Sequence, residues 1–240
     1  MPEFTSGDRT LYYETAGAKG SPALLLIAPG GMKSTVSFWS STPWNPMIEL
    51  DDAFYVIAMD QRNAGHSTAP VSAEDGWHTY TQDQLDLMDH LDVQQFHVAG
   101  MCIGGPYSLG LIEKAPDRVL SATLFQTIGR DNNQAEFYAM FDDWAGPLSA
   151  ERDASPEAWR RFRENMYGGD RVLFNLDADF LDGLTTPLLV LMGSDVYHPE
   201  STSRLVAERA PNAEFIEDWK QGPARTAAMA RCRSFLEENT

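Results

Sequence analysis

Short apolar runs alternate along the chain with stretches in which apolar residues recur at helical spacing. Six runs are long enough for buried strands, and they lie at 23–31, 54–60, 96–101, 119–127, 187–193 and 213–219. Strands that alternate with helices are typical of a mostly parallel sheet. Before them, residues 2–16 predict a short antiparallel hairpin that turns at Ser6-Gly7-Asp8.

Helical spacing fills the gaps between the predicted strands. Over 80–92, Leu85, Met88 and Leu91 share one face, and Thr81 is the predicted N-cap. Another helix is expected directly after the strand at 96–101, and the last covers roughly 223–237.

The segment 130–183 departs from this alternation, because it is rich in aromatic residues at helical spacing. We interpret it as a small helical cap inserted into a single α/β domain that spans residues 1–240. The alternative is an elaborate crossover between two strands, with the aromatic residues as its own core.

Composition and charge narrow the classes of function. The net charge of −17 disfavours nucleic acid and anionic lipid as partners, since both need Lys and Arg. No apolar run approaches the ~20 residues that cross a bilayer, and the N-terminus lacks the features of a signal peptide. We therefore predict a cytoplasmic protein with a small-molecule substrate, no nucleic acid and no membrane; the oligomeric state, including a homodimer, stays open.

Two cysteines are too few for a disulfide framework, and no Cys/His spacing indicates zinc. Cys102 lies in Gly100-Met101-Cys102-Ile103-Gly104, which matches G-x-nucleophile-x-G between a predicted strand and a predicted helix. Such a turn exposes its middle side chain at a helix N-terminus, where a thiolate is favoured. The alternative is a small buried apolar residue, which is our expectation for Cys232 on the last helix.

Four motifs occur in order, each at the end of a predicted strand: LLLIAPGGM, MDQRNAGHS, GMCIGG and LLVLMGSDVYHP. In this order the chain resembles the α/β-hydrolase superfamily over nearly its full length, which implies the α/β-hydrolase fold. MDQRNAGHS is similar to the family's D-x-R-G-x-G-x-S, with Asn63 in place of the first glycine. The cysteine resembles the G-x-C-x-G-G turn of dienelactone hydrolases and polyhydroxyalkanoate synthases.

The resemblance also implies an oxyanion hole. One donor is the N–H of Ile103, the residue after the nucleophile. The other comes from the loop after the first long strand and maps to Gly31, with Met32 as the alternative. Pro29 stands where the family usually has a histidine.

The family order places the acid after the strand at 187–193, where Asp195 fits, and the histidine after the last strand. That second stretch reads EDWKQGPARTAAM and contains no histidine; Lys220 and Gln221 stand nearest to the expected place. His198, three residues after Asp195, is on a loop at the carboxyl end of the sheet, where ligands bind in open α/β folds. Our hypothesis is that His198 is the base or acid for Cys102 and that Asp195 orients it.

Alternatives to this assignment stay open. His198 could instead cap the following helix, and Asp195 could be a turn residue or a partner of Lys220. The other histidines are expected at structural or surface positions: His66, His78, His90 and His97.

These residues predict a cofactor-free hydrolase for an ester, thioester or enol-lactone of a small apolar substrate, through an acyl-enzyme on Cys102. The aromatic cap indicates the apolar substrate. Two alternatives remain: an acyltransferase with the same residues, and a catalytically retired fold used as a ligand-binding module.

Overall fold

Eight strands form one sheet in the computed structural model, which describes residues 2–240. The strands are β1 (Glu3–Ser6), β2 (Arg9–Ala16), β3 (Ala23–Ile27), β4 (Tyr55–Met59), β5 (Phe96–Met101), β6 (Val119–Phe125), β7 (Leu188–Leu191) and β8 (Ala213–Ile216). Their order is β1-β2-β4-β3-β5-β6-β7-β8. The hairpin β1–β2 joins β4 antiparallel, and all the other pairs are parallel.

The strands from β3 to β7 are buried along almost their whole length, because helices cover the sheet. The helices are α1 (Pro46–Glu49), α2 (Trp77–His90), α3 (Gly104–Lys114), α4 (Gln134–Leu148), α5 (Pro156–Tyr167), α6 (Glu200–Arg209) and α7 (Gly222–Glu238). Short 3-10 helices occur at Gly31–Lys33, Val36–Ser41 and Ala178–Gly183. The predicted fold class, a mostly parallel sheet flanked by helices, is confirmed.

Several predicted boundaries are wrong. The strands predicted at 23–31, 119–127 and 213–219 end earlier, at Ile27, Phe125 and Ile216, and the predicted N-cap of α2 is misplaced. Helix α2 begins at Trp77, after Gly76, so Thr81 lies inside it rather than at its N-cap. Its hydroxyl donates to the Trp77 carbonyl one turn earlier. The apolar face of the helix begins with the aromatic residues Trp77 and Tyr80, both buried, which the Leu and Met spacing alone did not include.

Register aligns the carboxyl ends of the central strands. Ile27 of β3 pairs with Gly100 of β5, which pairs with Leu124 of β6. Loops that leave these strands therefore meet at one edge of the sheet.

Helices of the predicted cap contact the loops at that edge. Helices α4 and α5, with the 3-10 helix that follows, fall inside the predicted range 130–183. Met140 of α4 packs directly on Gly31, and the Trp144 indole donates to the Asn63 carbonyl at 3.0 Å. On the other side, the Trp77 indole donates to the Met166 carbonyl at 2.6 Å.

Within residues 2–240, no helix combines the length and apolar character needed to cross a membrane. In the same part of the chain, His, Cys, Asp and Glu side chains form no group of three or more that could hold a metal ion.

Candidate active site

Cys102 occupies a tight turn between β5 and α3. Its φ of 61° lies in the left-handed region, which costs energy for a residue with a side chain. The turn is fixed by its own backbone, because the Cys102 N–H donates to the Phe125 carbonyl at 3.0 Å. The strained strand-to-helix turn predicted from the sequence is therefore present.

Glycines next to the turn allow the close approach of strand and helix. A Cβ on Gly100 would lie 2.1 Å from the Gly104 carbonyl oxygen, and one on Gly105 would lie 1.9 Å from the Thr127 hydroxyl. No side chain fits at these distances, so the glycine pattern of the motif is a packing requirement.

Asp195 and His198 form a single tight turn beyond β7. Nδ1 of His198 lies 2.8 Å from both carboxylate oxygens of Asp195. The N–H groups of Tyr197 and His198 also donate to that carboxylate, each at 3.0 Å. The carboxylate therefore fixes both the backbone of the turn and the orientation of the imidazole.

Two further residues hold this turn against the sheet. Gly193 lets it fold back, since a Cβ there would lie 2.6 Å from Cβ of His198. Buried Asn133, just before α4, donates through its amide to the carbonyls of Gly129 at 3.0 Å and Val196 at 2.6 Å. The imidazole is thus positioned by the start of the cap as well as by its own loop.

The Cys102 thiol and the His198 imidazole interact electrostatically. Burial opposes ionisation of the thiol, which belongs to a residue only 9% exposed. The His198 imidazolium and the N–H groups of Gly30 and Ile103 outweigh burial, so the pKa of Cys102 is lowered from its ordinary value.

The pKa values of His198 and Asp195 are shifted as well, each toward its charged form. Burial alone would lower the pKa of His198, but Cys102 and Asp195 raise it above its ordinary value. Burial would raise the pKa of Asp195, and hydrogen bonds from His198 and backbone N–H groups lower it instead. Nε2 of His198 is buried and has no hydrogen bond of full geometry within residues 2–240. Both shifts act in the direction of the charged forms, a thiolate on Cys102 and an imidazolium on His198.

The backbone N–H groups around the sulfur differ in part from the sequence expectation. Those that face Cys102 belong to Ile103, as expected, and to Gly30 rather than to Gly31 or Met32. Gly30 and Gly31 both have positive φ, 117° and 58°. Within residues 2–240, none of the N–H groups of Gly30, Gly31 and Met32 donates to a backbone carbonyl. The assignment of Gly31 and Met32 as oxyanion donors stays a prediction. Gly30 is a further candidate donor.

The loop after β4 stabilises the loop after β3, which carries the predicted oxyanion donors. The Asp60 carboxylate accepts the N–H of Val36 at 2.8 Å and that of His66 at 2.9 Å. Asn63, which stands in place of a glycine, has a φ of 56°, a conformation that asparagine tolerates well. His66 is therefore structural, as expected.

The stretch after the last strand, where the resemblance implies a histidine, contains the buried Trp219. The Trp219 indole donates to the Met192 carbonyl at 2.8 Å, and its ring packs 5.4 Å from that of Phe125. Lys220 is exposed, with Nζ 5.6 Å from the Trp219 ring, and Gln221 is exposed too. Cys232 is fully buried, and burial raises the pKa of its thiol. Of the candidate bases, His198 alone is joined to Cys102 by a described interaction.

Sequence reasoning missed Gly30, Gly193 and Asn133. Gly193 is the last residue of the predicted strand 187–193 and precedes Ser194-Asp195, which could have marked a close approach of the backbone. Asn133 carried no such signal, because Val196, the partner that joins it to this loop, lies 63 residues later in the chain.

The fold and the site define a parallel α/β protein with a nucleophile-type turn, a covering cap and a histidine–carboxylate pair at the carboxyl edge. The chain belongs to the alpha/beta hydrolase fold family, whose sequence model matches residues 23–174, more than half of its length.

Curated relatives in this family include proteins named "Putative carbamate hydrolase RutD". The protein from Caulobacter sp. strain K31 is 25% identical over 87% of each chain. The one from Azorhizobium caulinodans is 34% identical, but the match spans 52% of this chain and only 43% of the relative. Among solved structures, a hydrolase from Pseudomonas aeruginosa PA01 superposes with a TM-score of 0.72 at 23% identity, over 98% of this chain and 97% of the other. At that identity the likeness shows the fold.

Proposed function

We propose that the protein is a hydrolase that cleaves an ester, thioester or enol-lactone of a small apolar substrate through an acyl-enzyme on Cys102. The observation that carries the proposal is the Cys102–His198–Asp195 arrangement at the strained turn, with the N–H groups of Gly30 and Ile103 beside the sulfur. The relatives' name adds carbamates to the acyl compounds worth testing.

Acylation begins with the Cys102 thiolate, which attacks the substrate carbonyl and forms a carbon–sulfur bond. The carbonyl oxygen becomes an oxyanion, and the N–H groups of Ile103 and of the Gly30–Met32 loop stabilise it. When this intermediate collapses, the bond to the leaving oxygen or sulfur breaks, and the His198 imidazolium donates its proton to the leaving group.

Deacylation reverses the roles of the same groups. Neutral His198 takes a proton from water, and the resulting hydroxide attacks the thioester carbon. Collapse of the second intermediate expels the Cys102 thiolate and releases the acid. Asp195 keeps Nδ1 of His198 protonated throughout, so Nε2 is the atom that exchanges protons.

A cysteine tolerates the unusual base better than a serine would. A few per cent of a thiol is already ionised at neutral pH, and the described contacts lower its pKa further. A histidine from the acid's own loop can therefore serve where the family uses one after the last strand.

The test is a panel of p-nitrophenyl esters, phenyl thioesters, enol-lactones and phenyl carbamates, assayed with wild type, Cys102→Ala and Cys232→Ala. We expect turnover in wild type and Cys232→Ala, none in Cys102→Ala, and an acyl adduct on the Cys102 peptide by mass spectrometry after acid quench. Unchanged turnover in Cys102→Ala would refute the proposal. Labelling without release to water, but with transfer to an added alcohol or amine, would assign acyl transfer instead.

A further inference from the structure

Three tyrosine hydroxyls are buried without a hydrogen-bond partner in residues 2–240. They belong to Tyr80, Tyr107 and Tyr167, each at most 1% exposed. A buried hydroxyl without a partner costs about 1–3 kcal/mol, and three in one place are unusual for a folded protein.

The three side chains come from different parts of the chain and form one cluster. The ring of Tyr80 on α2 stacks on that of Tyr107 on α3, with centroids 5.1 Å apart. Trp77 connects Tyr167, at the end of α5, to this pair. Its ring lies 5.1 Å from that of Tyr107 and 5.9 Å from that of Tyr167. Core and cap therefore both contribute to the cluster.

Two members of the cluster, Tyr107 and Tyr167, are within electrostatic range of Cys102. Tyr107 is in the first turn of α3, the helix that begins two residues after the cysteine, and its N–H donates to the Ile103 carbonyl. Burial raises the pKa of Tyr107 and Tyr167 well above 10, and the charge of an ionised Cys102 raises both further. The phenols are thus neutral donors near the reacting sulfur.

The walls around these hydroxyls are aromatic. The ring of Phe137 lies 5.2 Å and that of Phe174 5.3 Å from the ring of Tyr167. Arg62, the cation closest to Tyr80, is already held by both oxygens of Asp83 at 2.8 and 2.9 Å. The Arg130 guanidinium, 5.4 Å from the Phe174 ring, already donates through Nη2 to the carbonyls of Tyr167 and Gly168. An anion here would face the Cys102 thiolate. A neutral oxygen suits the cluster better.

We infer that Tyr80, Tyr107 and Tyr167 form a subsite for a neutral ketone oxygen in the acyl chain of the substrate, apart from the scissile carbonyl. A ketone has two lone pairs that can accept from two phenols, while its carbon chain packs on the aromatic walls. The inference rests on the proposed function and narrows its substrate class to oxo-acyl compounds.

The test compares p-nitrophenyl heptanoate with its 4-oxo, 5-oxo and 6-oxo analogues. We expect wild type to favour at least one oxo ester over heptanoate by about tenfold or more in kcat/KM, since an unpaired site rejects an analogue that lacks the polar atom. Tyr107→Phe and Tyr167→Phe should each lower this ratio by about 3–10-fold with little change for heptanoate.

Tyr138→Phe is the matched control. Its hydroxyl is on the cap but donates to the Glu164 carboxylate at 2.8 Å, so its loss should leave the ratio unchanged. Melting temperatures of the cluster variants should stay equal or rise, because an unpaired buried hydroxyl is removed. If a hydroxyl had only a structural role, its removal would lower the melting temperature.

A binding arm separates this inference from the proposed function. Calorimetry with Cys102→Ala and the methyl esters of the same acids measures binding without turnover. The oxo ester should bind more tightly than methyl heptanoate, and this preference should disappear when Tyr107 and Tyr167 are both replaced by Phe. The subsite is overturned if kcat/KM is the same for oxo esters and heptanoate and if the oxo and unsubstituted methyl esters bind with equal affinity. The hydroxyls would then be assigned to ordered water. Absent turnover with selective binding would overturn the hydrolase proposal alone.

Discussion

At the scale of single residues, the proposed mechanism depends on how Cys102 and His198 change each other's pKa. The N–H groups of Gly30 and Ile103 help the thiolate, and Asp195 helps the imidazolium. Each partner stabilises the charged form of the other, so removing one changes the titration of the remaining group. Alkylation and pH profiles therefore test the pair directly.

We expect iodoacetamide to alkylate Cys102 faster than Cys232 at neutral pH, because the first thiol has a lowered pKa and the second a raised one. In His198→Ala the acid limb of Cys102 alkylation should move to higher pH, and the acylation rate should fall by about 10²–10⁴. Peptide mapping of alkylation from pH 5 to 9 is the measurement. Equal alkylation rates for both cysteines would contradict the proposed Cys102–His198 pair. So would a pH profile of Cys102 alkylation that is unchanged in His198→Ala.

Asp195→Asn should move the alkaline limb of kcat/KM to lower pH. The sign follows from the pair: the carboxylate raises the pKa of His198, so its loss lets the imidazolium lose its proton earlier as pH rises. The amide can still occupy the same place in the turn, which keeps the fold comparable. An alkaline limb that stays in place would show that Asp195 does not act on His198.

At the scale of elements, the proposed mechanism depends most on the loop between β7 and α6. It carries both Asp195 and His198, and it can reach the sulfur only because Gly193 leaves room and Asn133 holds the Val196 carbonyl. Neither residue touches the reacting atoms, so both act as positioning residues.

Gly193→Ala should lower kcat/KM by about tenfold to a hundredfold, since displacement of a catalytic group by about 1 Å has effects of that size. The added Cβ would lie 2.5 Å from the His198 carbonyl oxygen, and the φ of Gly193 is one that alanine can adopt, so the cost is steric. Steady-state kinetics with a p-nitrophenyl ester is the measurement. The control is Gly183→Ala, where nothing lies within 4 Å of the new Cβ. Similar losses in both variants would indicate a general effect of the substitution.

At the scale of the whole molecule, stability depends on buried groups far from the site. His97 on β5 is fully buried, with Nδ1 2.8 Å from the Ser121 hydroxyl, and burial lowers its pKa to about 4. The folded protein keeps it neutral, while the unfolded chain protonates it near pH 6.5.

The free energy of unfolding should therefore be constant above about pH 6.5 with respect to His97, and fall as pH decreases from there to about 4. The shift corresponds to at most about 3 kcal/mol. His97→Gln should flatten this part of the profile in chemical denaturation at pH 4–7. His78→Gln, at an exposed histidine of α2, should leave it unchanged. Parallel profiles for wild type and His97→Gln would rule out this origin of acid sensitivity.

Local sequence patterns determined the elements of this protein. Apolar runs such as 96–101 match strands because a strand buried on both faces needs apolar residues throughout. The turn at Cys102 was equally predictable, since its glycines are required within a few residues of the cysteine itself. The acid candidate, Asp195, was implied by the family resemblance, and His198 followed from its place three residues later on a loop at the carboxyl end of the sheet.

Tertiary structure alone decided how these residues meet. Sequence spacing says nothing about the distance between Cys102 and a loop almost a hundred residues later; the parallel register of β5, β6 and β7 sets it. The same holds for Gly30 beside the sulfur and for the cluster of Tyr80, Tyr107 and Tyr167. Local chemistry fixes turns and strands because their causes lie within a few residues, whereas a site is assembled from side chains that only the folded sheet and its cap bring together.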